Sequence, residues 1–356
     1  MAAMADPTTN LESSLQVPSV QELAIQRPDQ VPPRYIREDG EIEACPSDSS
    51  LRVPLIDMAK LVNAETRAQE LQKLHLACSN WGVFQLVNHG VSDESLDKMR
   101  DQVERFFELP FKEKMRWAQR PGTLQGYGQA FVTSENQKLD WNDMIFLKTQ
   151  PIQNRNLDLW PQNPPQFRES LERYSEEMRE MASSVVKFIC MALGVEASKL
   201  LLESFEEGQY NIRMNCFPPC PEPERVLGIV PHADNSAITF LLECGHLPGL
   251  QVLNDGKWVF VQPIEGAIVV NIGQIFEVLS NGIYKAPVHR AVVNKLKERL
   301  SIVTFCYPSP CVDIAPFENL IGEGNPPLYK TMTNAEYFHK FFNRKLEESF
   351  IDNLKM

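Results

Sequence analysis

YNIRMNCF at 210–217, AITFLLE at 237–243, GLQVLN at 249–254, KWVFVQP at 257–263, AIVVNIG at 267–273, HRAVVN at 289–294 and RLSIVTFCY at 299–307 decide the fold. Each is a short run rich in β-branched and aromatic residues, and Pro or Gly punctuates most of the gaps, as expected of successive strands. Their close succession predicts an antiparallel barrel or jelly roll.

Upstream the pattern changes to helical spacing. VPLIDMAKL reads as a buried strand turning into a helix, ETRAQELQKLHLACSNWG as a helix ended by Gly82, and VFQLVNHGV as a strand. SDESLDKMRDQVERFFELP and PPQFRESLERYSEEMREMASSVVKFICMALG read as two further helices, the second closed by Gly194. Residues 1–50 are polar and broken by Pro18, Pro28, Pro32, Pro33 and Pro46, which predicts an extended arm with one short helix near VQELA. NAEYFHKFFNRKLEESFIDNLKM predicts a closing helix over 334–356. The expected organisation, α+β as a whole, is an arm (1–50), a mainly helical region (51–205), a strand-rich barrel or jelly-roll core (206–310) and a C-terminal helical segment (311–356).

The 356 residues, 43% of them hydrophobic, suffice for a large core. A formal net charge of −12 disfavours nucleic acid and anionic membranes as partners and leaves a small molecule as the expected one, with no obligate protein partner evident. The first twenty residues lack a basic then apolar leader, and no eighteen apolar residues run together, so a soluble cytoplasmic protein is expected. Eight dispersed cysteines read as reduced thiols, and Cys216 with Cys220 is a poor zinc signal without a second pair.

The chemistry lies among the strand runs. His232 and Asp234 in PHADNSAITFLL, with His289 in YKAPVHRAVVN, supply two imidazoles and a carboxylate. Such a set can take one face of an octahedral ferrous ion and leave three positions for an oxo-acid and dioxygen. On a strand, His232 and Asp234 would point to the same side. Ten residues beyond His289, Arg299 and Ser301 again stand two apart, and an Arg fork with a hydroxyl beside it suits a carboxylate. Arg213, Asn215 and Phe217 form a third such series. An H-x-D with a distant His is weak alone, and its bland reading is two satisfied histidines and a turn Asp. Three series aimed at one cavity outweigh that reading.

These segments, with PSVQELA, PPRYIRED, WGVFQLVNHGV, FFELPFKEKMRW, GTLQGYGQAFVTSENQKLDWNDM and NCFPPCPEP, resemble the plant 2-oxoglutarate- and Fe(II)-dependent dioxygenases from about residue 17 onward. Within them the chain is similar to the branch of alkaloid O-demethylases, norcoclaurine-synthase-like enzymes and strigolactone-pathway oxidoreductases. The resemblance implies a double-stranded β-helix core, iron on His232, Asp234 and His289, and 2-oxoglutarate on Arg299 and Ser301 near Asn215 and Phe217. It implies dioxygen as oxidant, ascorbate as reductant, and hydroxylation or O-demethylation of a specialised metabolite, an alkaloid or a phenolic, with release of succinate and CO2. Tyr127, Phe131, Phe305 and Tyr307 are the expected substrate-pocket residues.

Members of that family usually show NYYPP where this chain has NCFPP, so Phe217 lacks a hydroxyl that tyrosine would offer. Gln274, Ala286, Pro287 and Val288 also depart from the usual pattern and are expected to alter the wall beside His289. Two rival readings are a non-catalytic ligand-binding relative, which Phe217 would suit, and a halogenase, which needs a small residue where Asp234 stands. His75, His89, His246 and His339 lack partners at ligand spacing and read as structural.

Overall fold

The computed structural model describes residues 14–27, 29–38, 42, 51–310, 312–344 and 349–356. Parts of the predicted arm and closing helix lie outside these residues, as do Cys45 and Cys311. Among the described residues the helices and strands run, in chain order, α1 (Val20–Gln26), β1 (Leu55–Asp57), α2 (Met58–Val62), α3 (Arg67–Asn80), β2 (Val83–Val87), α4 (Asp93–Glu108) and α5 (Phe111–Lys114). β3 (Gly126–Gly128), β4 (Asp143–Gln150), α6 (Phe167–Leu193), α7 (Lys199–Glu206), β5 (Gln209–Phe217), β6 (Leu227–His232) and β7 (Ile238–Glu243) follow. The chain continues through β8 (Leu250–Asn254), β9 (Lys257–Phe260), β10 (Ile268–Ile272), α8 (Gln274–Leu279), β11 (His289–Val292), β12 (Arg299–Tyr307) and α9 (Asn334–Phe342).

The strands form an eight-stranded sheet in the order β1-β2-β10-β7-β12-β5-β4-β3 and a four-stranded sheet in the order β6-β11-β8-β9. Neighbours pair antiparallel except β1 with β2. This is an α+β jelly roll, one of the two forms that the strand runs allow. Strands from the helical half extend its large sheet at both edges, so the sheet exceeds the segment rich in strand runs.

Local chemistry explains the principal helices. Ser92 caps α4 by accepting the Ser95 N–H, Asp93 and Glu94 stand in the first turn, and Pro110 follows its end. Gly194 at φ +78 closes α6, with the Val195 N–H bonded back to the Cys190 carbonyl. The inner face of α6, including Tyr174, Met178, Val185 and Ile189, is buried in the main core, where burial stabilises each large apolar side chain by about 1.5–3 kcal/mol. The start of α1 is bound through buried Asp143 of β4, which accepts from the Val20 N–H at 2.9 Å and the Gln21 N–H at 3.0 Å. The arm thereby packs Val20, Val31 and Tyr35 with Trp141 and Phe217 in a second apolar cluster.

Several expectations differ from the structure. The closing helix stops at Phe342, where Asn343 leaves helical geometry. β4 escapes the alternation test because polar Thr149 and Gln150 are buried in it, Thr149 through a bond to the Tyr210 carbonyl. α8 is six residues long, too short to show helical periodicity. β6, which carries His232, falls between the recognised runs, and Asp234 lies just beyond its end rather than on a strand.

Candidate metal and co-substrate site

β6 and β11 run antiparallel with His232 directly opposite His289. That register sets the two imidazoles 4.3 Å apart between ring centres. Past β6 the chain turns, and Asp234 Oδ1 comes to lie 3.6 Å from Nε2 of each histidine. His232 Nδ1 is 2.9 Å from the Val230 carbonyl, and His289 Nδ1 is 3.1 Å from the Pro287 carbonyl. A carbonyl only accepts, so each Nδ1 carries a proton, which leaves each Nε2 as the ring nitrogen available to the shared space.

Asn271 donates to Asp234 Oδ2 at 3.2 Å, and the Asp234 carbonyl accepts the Gln274 N–H at 2.8 Å. Burial alone would raise the Asp234 carboxyl, but the two histidines, Asn271 and Thr239 outweigh it and hold it below its ordinary range. Burial, reinforced by His289, pulls His232 down to about 4, with Asp234 opposing only in part. At neutral pH the site therefore offers a carboxylate and a neutral His232. The three donor atoms lie within 4.8 Å of one another, and the 3.6 Å separations are within the roughly 4.2 Å that two bonds of about 2.1 Å can bridge. Two imidazole nitrogens and one anionic oxygen suit a divalent first-row ion.

The other two series meet across β5 and β12, where Arg299 pairs with Phe217, Ser301 with Asn215 and Val303 with Arg213. Arg213 Nε donates to Asn215 Oδ1 at 2.7 Å, and Asn215 Nδ2 donates to Ser301 Oγ at 3.3 Å. The Arg299 guanidinium lies 5.1 Å from the Phe217 ring centre. Close packing fixes both groups: a side chain at Gly249 would meet Arg299 Cδ at 2.5 Å, and one at Gly228 would meet the Phe217 ring at 2.6 Å. A narrow slot of about 40 Å³ has the three candidate metal ligands, Arg299, Ser301 and Phe217 in its wall.

A second cavity, of about 1240 Å³, opens beside it. The two share Arg213, Ile229, His232, Asp234 and Phe305, so two of the three candidate ligands stand at their junction and His289 lines the slot alone. Phe131, Phe305 and Tyr307 line the larger cavity, and Tyr307 donates to Asn235 Oδ1 at 2.9 Å. Tyr127 does not line it. Between Gly126 and Gly128 it turns into the helical core against Phe106, its hydroxyl 3.3 Å from Asp143. Gln274, Ala286, Pro287 and Val288 line neither cavity, and Pro287 acts instead through the carbonyl that orients His289.

Sequence reasoning missed Phe338 and Phe342 of α9, which stand one turn apart in the large cavity's wall, an i, i+4 aromatic pair that could have been noticed. It also missed Arg37 and Asp140, which form a 3.0 Å ion pair in that wall. Burial pushes the Asp140 carboxyl up to about 6, with Arg37 and Arg213 offsetting part of the effect. His75 and His89 are satisfied structurally, by the Tyr284 hydroxyl and the Gly266 carbonyl. The six described cysteines are free thiols, and no described helix is long and apolar enough to cross a membrane.

Residues 53–163 match the family of non-haem dioxygenases in morphine synthesis (N-terminal), and residues 208–308 match the 2OG-Fe(II) oxygenase superfamily. The chain is 42% identical to S-norcoclaurine synthase 1 of Coptis japonica, over 99% of this chain and 100% of that one. It is 40% identical to oxoglutarate-dependent flavonoid 7-O-demethylase 1 of Ocimum basilicum, over 96% and 92%. Among solved structures it resembles JOX2 in complex with 2OG, Fe and JA, with a TM-score of 0.86, 33% identity and 96% and 98% coverage. With a His-Asp-His cluster at paired strands of its jelly roll and such likeness over nearly its whole length, the chain belongs to the 2OG-Fe(II) oxygenase superfamily, among the plant 2-oxoglutarate- and iron-dependent dioxygenases.

Proposed function

We propose that the protein oxidises a plant specialised metabolite, an alkaloid or a phenolic, by hydroxylation or O-demethylation. His232, Asp234 and His289 hold Fe(II), Arg299 and Ser301 take the distal carboxylate of 2-oxoglutarate, and the large cavity takes the organic substrate. The observation that carries this reading is the slot shared by the triad and the Arg299–Ser301 pair. When bound, iron with 2-oxoglutarate and dioxygen supplies the oxidising chemistry, releasing succinate and carbon dioxide. The chain's own residues position that chemistry. Val230 and Pro287 fix the histidine protons, Asn271 holds the carboxylate, and Phe305 closes the junction beside the triad. Ascorbate serves as reductant in this reading.

The test is succinate release by the purified protein with ferrous iron, ascorbate and 2-oxoglutarate across a panel of alkaloids, flavonoids and coumarins. Stimulation by one class, with the substrate gaining one oxygen atom or losing a methyl group as formaldehyde, supports the reading; turnover with no organic substrate oxidised overturns it.

Phe217→Tyr tests the slot. A hydrogen bond to a charged carboxylate is worth about 1.5–3 kcal/mol, so the added hydroxyl should lower the 2-oxoglutarate KM by roughly ten- to a hundredfold if it fits. A raised organic-substrate KM with unchanged 2-oxoglutarate KM would instead make Phe217 an apolar support for the substrate, and a variant unchanged in both would refute either role.

Asp140 supplies a pH test of substrate class. Its carboxyl, at about 6, is charged above that pH and neutral below it. A cationic substrate should show a KM that rises as pH falls through about 6, and an anionic one the reverse. Asp140→Asn should flatten either profile; the same profile in the variant would exclude Asp140.

A further inference from the structure

Behind the Arg299 fork stands a carboxylate that the oxygenase reading does not use. Glu243 ends β7 directly across from Ser301 of β12, so its side chain enters the same layer as the proposed clamp. It takes Arg299 side-on, Oε2 accepting from Nε at 3.1 Å and Oε1 from Nη2 at 2.6 Å. Both side chains are buried, at 5% and 10% exposure. Arg299 lines the slot and Glu243 does not, so the carboxylate binds the guanidinium from outside the slot's wall. Arg100, which donates to the Glu243 backbone carbonyl, spends its charge on exposed Asp97.

We infer that Glu243 is a positioning residue that fixes the Arg299 fork and, by opposing its charge, sets a high 2-oxoglutarate requirement. The inference rests on the reading of Arg299 as the co-substrate clamp. Two opposed effects meet here. A side-on carboxylate engages Nε and Nη2, holds the fork in one orientation and leaves the Nη1 donors for a docking carboxylate. The same negative charge repels that carboxylate across the guanidinium, and in a site of effective dielectric about 20 the repulsion amounts to roughly ten- to a hundredfold in affinity. Packing by Gly249 and Phe217 already restrains the arginine, so repulsion is the larger of the two. Phe217 adds to the effect by withholding a hydroxyl from the same slot.

The experiment is anaerobic calorimetric titration of the ferrous full-length protein with 2-oxoglutarate and with its C5 amide, whose distal end carries no charge. Glu243→Gln should tighten 2-oxoglutarate binding by about tenfold, leave C5-amide binding within about threefold, and leave the organic-substrate KM in place. A dissociation constant that is unchanged or weakened would reduce Glu243 to a brace and overturn the inference. Should the variant not fold, the native protein still decides: a preference for the diacid over the amide below about tenfold supports charge cancellation, and a larger one overturns it. Absence of any 2-oxoglutarate binding to the native protein is a different result, because it would remove the clamp reading itself.

Discussion

Asp234→Ala is expected to reduce substrate oxidation to background, a loss of roughly a thousandfold or more, with His232→Ala and His289→Ala close behind. The carboxylate is the one anion of the triad, and a single oxygen lies 3.6 Å from both histidine nitrogens. Removing it leaves two imidazoles, too few donors to hold a ferrous ion in a fixed geometry. It also strips the Asn271 amide of its 3.2 Å acceptor within a buried site. The backbone bond from Gln274 to the Asp234 carbonyl does not depend on the side chain and should keep the loop in place. A folded variant that has lost bound iron is therefore the expected product. Iron content by atomic emission, thermal melting and succinate release measured together separate this outcome from unfolding. Asn271→Ala should cost less, roughly ten- to a hundredfold in iron affinity, since it removes an orienting bond and no ligand. Full turnover of Asp234→Ala at saturating iron would sink the metal assignment. The same position bears on halogenation, which would need a small residue there.

The sequence exposed the parts of this site that depend on periodicity and hid those that depend on register. Arg299 with Ser301 and Arg213 with Asn215 and Phe217 stand two apart on strands, so their shared faces follow from the pleat. That β12 lies beside β5 with Arg299 opposite Phe217 is a pairing no local pattern encodes. His232 and Asp234 show the limit from the other side: their side chains converge as the spacing suggests, yet through a turn after β6 rather than along a strand. Tyr127 was misplaced because two flanking glycines permit a short strand whose only side chain faces the helical core. Glu243 was overlooked because it closes an apolar run, where an acid reads as a strand end exposed to water. Only the packing of β7 against β12 reveals that it is buried on an arginine. The helical half was easier, since caps such as Ser92 and Gly194 act within a few residues of themselves.

Arg299→Lys should raise the 2-oxoglutarate KM by roughly ten- to a hundredfold and the organic-substrate KM by less than about threefold, because the loss falls on the slot and not on the large cavity. The geometry makes this exchange harsher than a change of shape alone. Arg299 has donors enough to satisfy Glu243 through Nε and Nη2 and still direct Nη1 at a second carboxylate. A lysine carries one ammonium, and Glu243, already buried beside it, would hold that charge behind the slot. Ser301, itself bonded to Asn215 at 3.3 Å, would then be the main remaining contact for the co-substrate's far end. The expectation follows that Arg299→Lys is nearly as impaired as Arg299→Ala, and that adding Glu243→Gln to the lysine variant recovers part of the 2-oxoglutarate affinity by releasing the ammonium toward the slot. Steady-state titration of both substrates against the two single variants and the double variant tests both expectations. An unchanged 2-oxoglutarate KM in Arg299→Lys would place the clamp elsewhere. A double variant no better than the lysine variant would show that the ammonium is held by distance rather than by Glu243.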